Sequence, residues 1–194
     1  MYKKGKLRTK FPELDYNLPI FLPRADAKTK RLTLKQTEKY HRKRKVIPSI
    51  IVSAIDDHEV VYGARAINKR LPKHLQSDTH DYDIYTPFPK KDAREVEKKL
   101  DKHFNGDFFF VERANHPGTF RVRSHADGKT HADYTKLEGE IPFDKIDGIK
   151  YEKLNNIKGK IKKTLDNPMA YYRHQKDRDA LNRILLFEKN KRRR

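Results

Sequence analysis

The chain has 194 residues, enough for one domain with an appended helical lobe. Its formal net charge is +19, from 46 Lys and Arg against 27 Asp and Glu. That excess points to a polyanionic partner, nucleic acid before an acidic membrane surface or an acidic protein. Absence of cysteine excludes disulfides, thiolate zinc sites and thiol catalysis, and no apolar run approaches the roughly 20 residues of a membrane span.

Residues 1–32 open with "MYKKGKLRTK", basic but without a following apolar segment, so no secretory signal is expected. The next stretch, "FPELDYNLPIFLPRAD", carries three prolines and reads as an extended arm lying on the protein's own surface or on a protein partner. From Thr33 to Asp56 a helical stripe is carried by Leu34, Tyr40, Ile47, Ile50, Ile51 and Ala54, with a kink or restart at Pro48. Inside it "HRKRK", His41 to Lys45, is either a solvated or a phosphate-contacting helix face.

Glu59 to Tyr62 reads as a short buried strand ended by Gly63, and "ARAINKRL" continues as a helix closed by Pro72. A strand, a glycine and a helix start present free N–H groups suited to phosphate, and Arg65 adds a guanidinium. "KHLQSDT" is a loop. "HDYDIYT" is the second strand, with Asp81 and Asp83 on one face and Tyr82 and Ile84 on the other. "PKKDAREVEKKLDKHF" is an amphipathic helix with Ala93, Val96, Leu100 and Phe104 at helical spacing, stopped by Asn105 and Gly106. "DFFFVERA" and "TFRVRSHA" are strands joined by the "NHPG" turn, and the "ADGK" turn leads to the strand "KTHADYTKL", with Asp133 at its middle.

After "EGEIPFDKIDG" the pattern becomes helical. "YEKLNNIKGKIKKTLD" has Leu154, Ile157, Ile161 and Leu165 on one face, with Lys158, Lys160, Lys162 and Lys163 elsewhere. "RHQKDRDALNRILLFEKN" is a last helix, with Ala180, Leu181, Ile184, Leu185 and Phe187 as its apolar side. The expected fold is α+β: a small mixed sheet with helices on one side and a C-terminal helical segment. Its expected divisions are an arm at 1–32, a core at 33–148, the helical segment at 149–190 and a basic tail at 191–194.

Asp81 and Asp83 repel unless a cation or proton lies between them; the plain alternative is an exposed strand end with two solvated acids. Asp133 is a third acid at a mid-strand position that propensity and burial both disfavour. If the two strands are neighbours, the three carboxylates converge and prescribe an oxygen-loving cation, Mg²⁺ or Mn²⁺. With Gly63 beside them, this is the outline of a two-metal phosphoryl-transfer site. His125 and His131 lie near the third acid in sequence and are read first as hydrogen-bonding or exposed groups. Nothing prepares Ser124 as a nucleophile. Phe108, Phe109, Phe110 and Phe120 read as core, whereas one of Tyr82, Tyr85 and Tyr134 could stack on a nucleobase.

These residues resemble the DNA polymerase β-type nucleotidyltransferase superfamily, in the manner of a small poly(A) polymerase-like member, viral ones included. The likeness rests on Gly63 with Ala64, on Asp81 with Asp83, and on Asp133 in "HADYT". It extends to "YEKLNNIKGKIKKTLDNPMAYYRHQKDRDALNRI", similar to the lysine-bearing helix and Arg/His-x-x-Lys-Asp helix that follow the core in small members, here Arg173 to Asp177. It covers residues 33 to 190. Ala64 departs from the pattern by standing where a second Gly or a Ser is usual, and the stretch from Gly63 to Asp81 is longer than in many members.

The resemblance implies that Asp81, Asp83 and Asp133 bind Mg²⁺ or Mn²⁺ and are catalytic. Gly63, Ala64 and Arg65 would cradle a nucleoside triphosphate, with Lys160 and Lys176 as further phosphate contacts. The implied reaction moves a nucleoside monophosphate from an NTP to a hydroxyl of a nucleic acid, RNA or tRNA before DNA. The alternative is a nucleic-acid-binding structural protein that keeps this fold, for example in a virus or phage particle. The expected location is the cytoplasm or such a particle, with no membrane partner.

Overall fold

The computed structural model describes residues 27–192. The expected arm up to residue 26 and the tail beyond 192 lie outside the described residues. In chain order the α-helices and strands are α1 (Ala27–Lys43), α2 (Ile47–Ala54), β1 (Val60–Tyr62), α3 (Gly63–Asn68), β2 (Tyr82–Thr86), α4 (Pro89–Phe104), β3 (Phe109–Arg113), β4 (Thr119–Ser124), β5 (Thr130–Lys136), β6 (Phe143–Ile146), β7 (Ile149–Glu152), α5 (Leu154–Leu165) and α6 (Tyr171–Arg192). The fold is α+β, with a seven-stranded mixed sheet and a C-terminal helical part. Among the described residues no helix is long and apolar enough to cross a membrane. The chain divides into two compact units, one from the residues through Ile55 with Phe88–Tyr134, the other from Asp56–Pro87 with the residues after Tyr134.

In the first unit α1 starts at Ala27, earlier than the apolar stripe suggested. Proline has no N–H to give a helix interior, so the chain passes through a 3-10 turn at Arg44–Val46 and restarts with Pro48 in the first turn of α2. Helix α4 packs on the β3–β4 hairpin and on α2. Tyr40, Ile51, Leu100, Phe104, Phe109 and Tyr134 are among this unit's fully buried large side chains, and the Phe104 and Phe109 rings meet edge to face at 5.1 Å. Leu34, expected on the apolar stripe, is exposed.

The end of α4 is held from three sides. Asn105 takes the left-handed conformation at φ 51° that stops the helix. Lys39 and Lys43 of α1 donate to the carbonyls of Asn105 and His103 at 3.0 and 3.1 Å, so Lys43 of the basic block serves a helix terminus. The Asp101 carboxylate accepts the N–H groups of Phe108 and Phe109, which fixes the entry to β3.

In the second unit the strand order is β2-β1-β7-β6. β1 pairs antiparallel with β2, Tyr62 opposite Asp83, and parallel with β7, Val61 opposite Tyr151. The β6–β7 hairpin corrects the sequence reading, which turned helical from Tyr151. Asp147 and Gly148 both have positive φ, the geometry of a two-residue hairpin turn, and α5 begins only at Leu154. Helix α5 buries Ile157 and Ile161 as expected, and α6 buries Ala180 and Ile184, but Leu185 and Leu186 are exposed.

Candidate active site

The backbone turn between β1 and α3 sets the site in the second unit. Gly63 follows the extended Tyr62 and adopts φ 65°, which turns the chain into α3 within one residue. The Asp83 carboxylate rests on that turn: a Cβ on Gly63 would overlap its Oδ2 and lie 3.3 Å from its Cγ. Ala66 and Ile67 are buried and anchor this short helix, while Ala64 is half-buried at its start. On β2, Tyr82 and Ile84 are buried while Asp83 and Tyr85 face the other way, half-buried, as alternation predicts.

Asp81 lies one residue ahead of β2 and is held through its backbone. Arg65 donates from Nε to the Asp81 carbonyl at 3.1 Å and from Nη2 to the Thr79 carbonyl at 3.2 Å. Its guanidinium lies 4.2 Å over the Tyr82 ring. Arg65, expected on phosphate, also grips the entry to the acid-bearing strand. The long stretch ahead of it, read as a plain loop, is also tied down. Asn68 donates to the Ser77 carbonyl at 2.7 Å and accepts its N–H at 3.1 Å, and Gln76 donates to the carbonyls of Asn68 and Leu71.

Beyond Asp83 the same face of the strand pair carries a group that sequence reading did not assemble. Tyr85 stacks on Tyr62 at 3.8 Å and 16°, and the Tyr62 hydroxyl meets Thr135 Oγ1 at 2.9 Å. Lys160 of α5 lies 4.6 Å over the Tyr85 ring, 3.2 Å from its hydroxyl and 2.6 Å from Glu152 Oε1. Glu152, 1% exposed, also accepts from Asn156 Nδ2. Burial pulls the Lys160 ammonium down, but the bonds to Glu152 and Tyr85 outweigh it and its pKa is raised. Burial raises the Tyr85 hydroxyl, against the pull of Lys160. The lysine therefore stays charged with 46% of its side chain exposed. Lys176 is exposed on α6.

Asp133 belongs to the first unit, on β5. The Arg121 fork holds it, Nε at 3.3 Å from Oδ1 and Nη2 at 3.2 Å from Oδ2. Arg121 stands opposite Glu112 on the β3–β4 ladder, and Glu112 pairs with Arg123 at 2.7 Å. Burial raises the Glu112 carboxyl, Arg121 opposes that, and Asp133 adds to it. His131 meets the Tyr40 hydroxyl at 3.1 Å, and His125 stacks on Phe110 at 4.6 Å with burial lowering its pKa. Ser124 is fully buried against the Asp127 carboxylate. Tyr82 and Tyr134 are buried, which leaves Tyr85 as the half-exposed tyrosine of the three considered for stacking.

No protein-family model matches the chain, and no curated protein matches it in sequence. Among solved structures it is similar to the Megavirus polyadenylate synthase, at a TM-score of 0.66 and 21% identity over 96% of this chain. The chain spans 40% of that structure's own length. The two share a fold.

Proposed function

We propose that this protein is a metal-dependent nucleotidyltransferase that moves a nucleoside monophosphate from an NTP to a terminal hydroxyl of a nucleic acid, RNA before DNA. The observation that supports it most is the seating of the Asp83 carboxylate on the Gly63 turn, beside Asp81, in a fold shared with a polyadenylate synthase. ATP is the first donor to test, since that neighbour makes polyadenylate.

The donor set suits a hard cation: half-buried carboxylates among oxygen and nitrogen groups, in a chain without cysteine. Asp81 and Asp83, with Asp133 as the third acid, would hold Mg²⁺ or Mn²⁺. That metal would neutralise charge on the triphosphate and favour an in-line displacement. Gly63 and Ala64 offer backbone N–H groups to the phosphates. Arg65 sets the height of Asp81 through the strand entry, and Lys160 and Lys176 supply positive charge to the phosphates. Arg121 holds Asp133 by both oxygens, and a bound cation would share that carboxylate with the guanidinium.

A second reading follows from the Arg121–Asp133 pair. If Arg121 takes the place of a cation, the chain is a nucleic-acid-binding component of a larger assembly, such as a virus or phage particle. Incubating the protein with each labelled NTP, Mg²⁺ or Mn²⁺ and mixed RNA and DNA acceptors, beside Asp81→Asn/Asp83→Asn, separates the two. Transfer by the wild type that the variant lacks establishes the enzyme. Equal, salt-sensitive binding by both proteins with no transfer establishes the second reading.

A further inference from the structure

The junction between α5 and α6 turns three large apolar side chains outward. Met169, Tyr171 and Tyr172 are 81%, 75% and 76% exposed. Such an adjacent trio at the surface signals a contact site, because burying those rings would otherwise favour folding. The junction is built rather than loose. Asn167 Oδ1 accepts the Met169 N–H at 3.0 Å, and His174 Nε2 lies 3.0 Å from the carbonyls of both Thr164 and Asn167. Asp177, 5% exposed, anchors the first turns of α6 and faces Arg173. The two tyrosine rings meet edge on, at 85°, so each keeps a face open.

Exposed cations flank the rings along the chain. Lys162 and Lys163 end α5, Arg173 follows the tyrosines, and Lys176 and Arg178 lie within two turns of Tyr172. Tyr172 and Lys176 are four residues apart on α6, so they share a helix face. An apolar protein partner would desolvate these charges, whereas a polyanion neutralises them. Aromatic faces interleaved with cations are the chemistry of single-stranded nucleic acid binding: bases stack on the rings while phosphates meet the ammonium and guanidinium groups.

We infer that Met169, Tyr171 and Tyr172, flanked by Lys162, Lys163, Arg173 and Lys176, form a platform on which unpaired bases of a nucleic acid strand stack. This binding needs neither NTP nor metal, and of the residues proposed above for nucleotide transfer it shares Lys176 alone. Duplex DNA carries the higher charge density, so charge alone favours the duplex, whereas stacking requires bases that are free.

The test is a fluorescence-anisotropy titration of the full chain with labelled single-stranded RNA, single-stranded DNA and duplex of one sequence, without NTP or divalent ions. Tyr171→Ala/Tyr172→Ala should bind either single strand about 10- to 100-fold more weakly and leave duplex binding unchanged. Tyr171→Phe/Tyr172→Phe should keep wild-type affinity, and Lys162→Gln/Lys163→Gln should lower the salt slope by about 1 to 2. Unchanged single-strand affinity in the alanine variant overturns the inference. So does an equal loss on single strand and duplex, or a change confined to self-association, which would assign the ridge to a protein contact. Thermal unfolding at wild-type temperature confirms that these exposed substitutions leave the fold intact.

Discussion

Gly63 and Asp83 occupy one place between them: the carboxylate of Asp83 lies where a side chain on residue 63 would begin. Residue 63 is also left-handed at φ 65°, so two independent reasons require glycine there. Gly148 separates them, because it has φ 81° but nothing within 4 Å of a Cβ. Gly148→Ala should therefore cost about 1 to 2 kcal/mol of stability from backbone strain and leave nucleotide transfer intact. Gly63→Ala should cost at least as much and, by displacing Asp83, lower the proposed nucleotide transfer by more than about 100-fold. Thermal unfolding and a transfer assay on both variants check this; equal activities would show that the carboxylate relocates without consequence.

Lys160 is the counter-ion of a buried glutamate. Lys160→Met leaves Glu152 charged and unpaired and should lower stability by about 2 kcal/mol, less than for a fully buried pair because Lys160 is 46% exposed. Glu152→Gln/Lys160→Met should recover part of that loss. A double-mutant cycle by chemical denaturation gives the coupling, and additive losses would mean that the 2.6 Å pair contributes nothing.

Asp101 has the opposite problem, a carboxylate closed in by the structure around it. Burial pushes its pKa from 3.8 up to about 7, although the N–H groups of Phe108 and Phe109 pull it down. The folded state then holds a proton that the unfolded chain has already released. This group's contribution falls as pH rises from about 4 to about 7, and is flat above that. Asp101→Asn keeps an acceptor for both N–H groups and removes the titration. Its unfolding temperature relative to wild type should rise between pH 5 and pH 8; a constant difference would show an ordinary carboxylate.

Asn68 pins the segment ahead of β2 through both atoms of its amide. Asn68→Ala removes the two bonds to Ser77 and should cost about 1 to 3 kcal/mol. Limited proteolysis should then cut between Pro72 and Thr79 faster than in the wild type. Unchanged cleavage would assign the order of this segment to Gln76 and to Arg183, which reaches the Leu75 carbonyl at 3.4 Å.

Local patterns carried much of this protein. The alternation in "DYDIYT" placed Tyr82 and Ile84 inward and Asp83 outward, and Asn105 ended α4, because strand pleat and left-handed caps depend on neighbouring residues. The β6–β7 hairpin was missed although Asp147-Gly148 between "DKI" and "IKY" is a hairpin signal, overshadowed by the lysine- and leucine-rich run after it. The glycine, the paired acids and the basic surplus were all visible in the chain, since each is a property of single residues and short spacings. That Arg65 grips the strand carrying Asp81, that Arg121 holds Asp133, and that Lys160 answers Glu152 under the Tyr62–Tyr85 stack were decided only by tertiary structure. Those partners come from different strands and helices, and a charged group's partner is set by distance in space, which no spacing along the chain encodes.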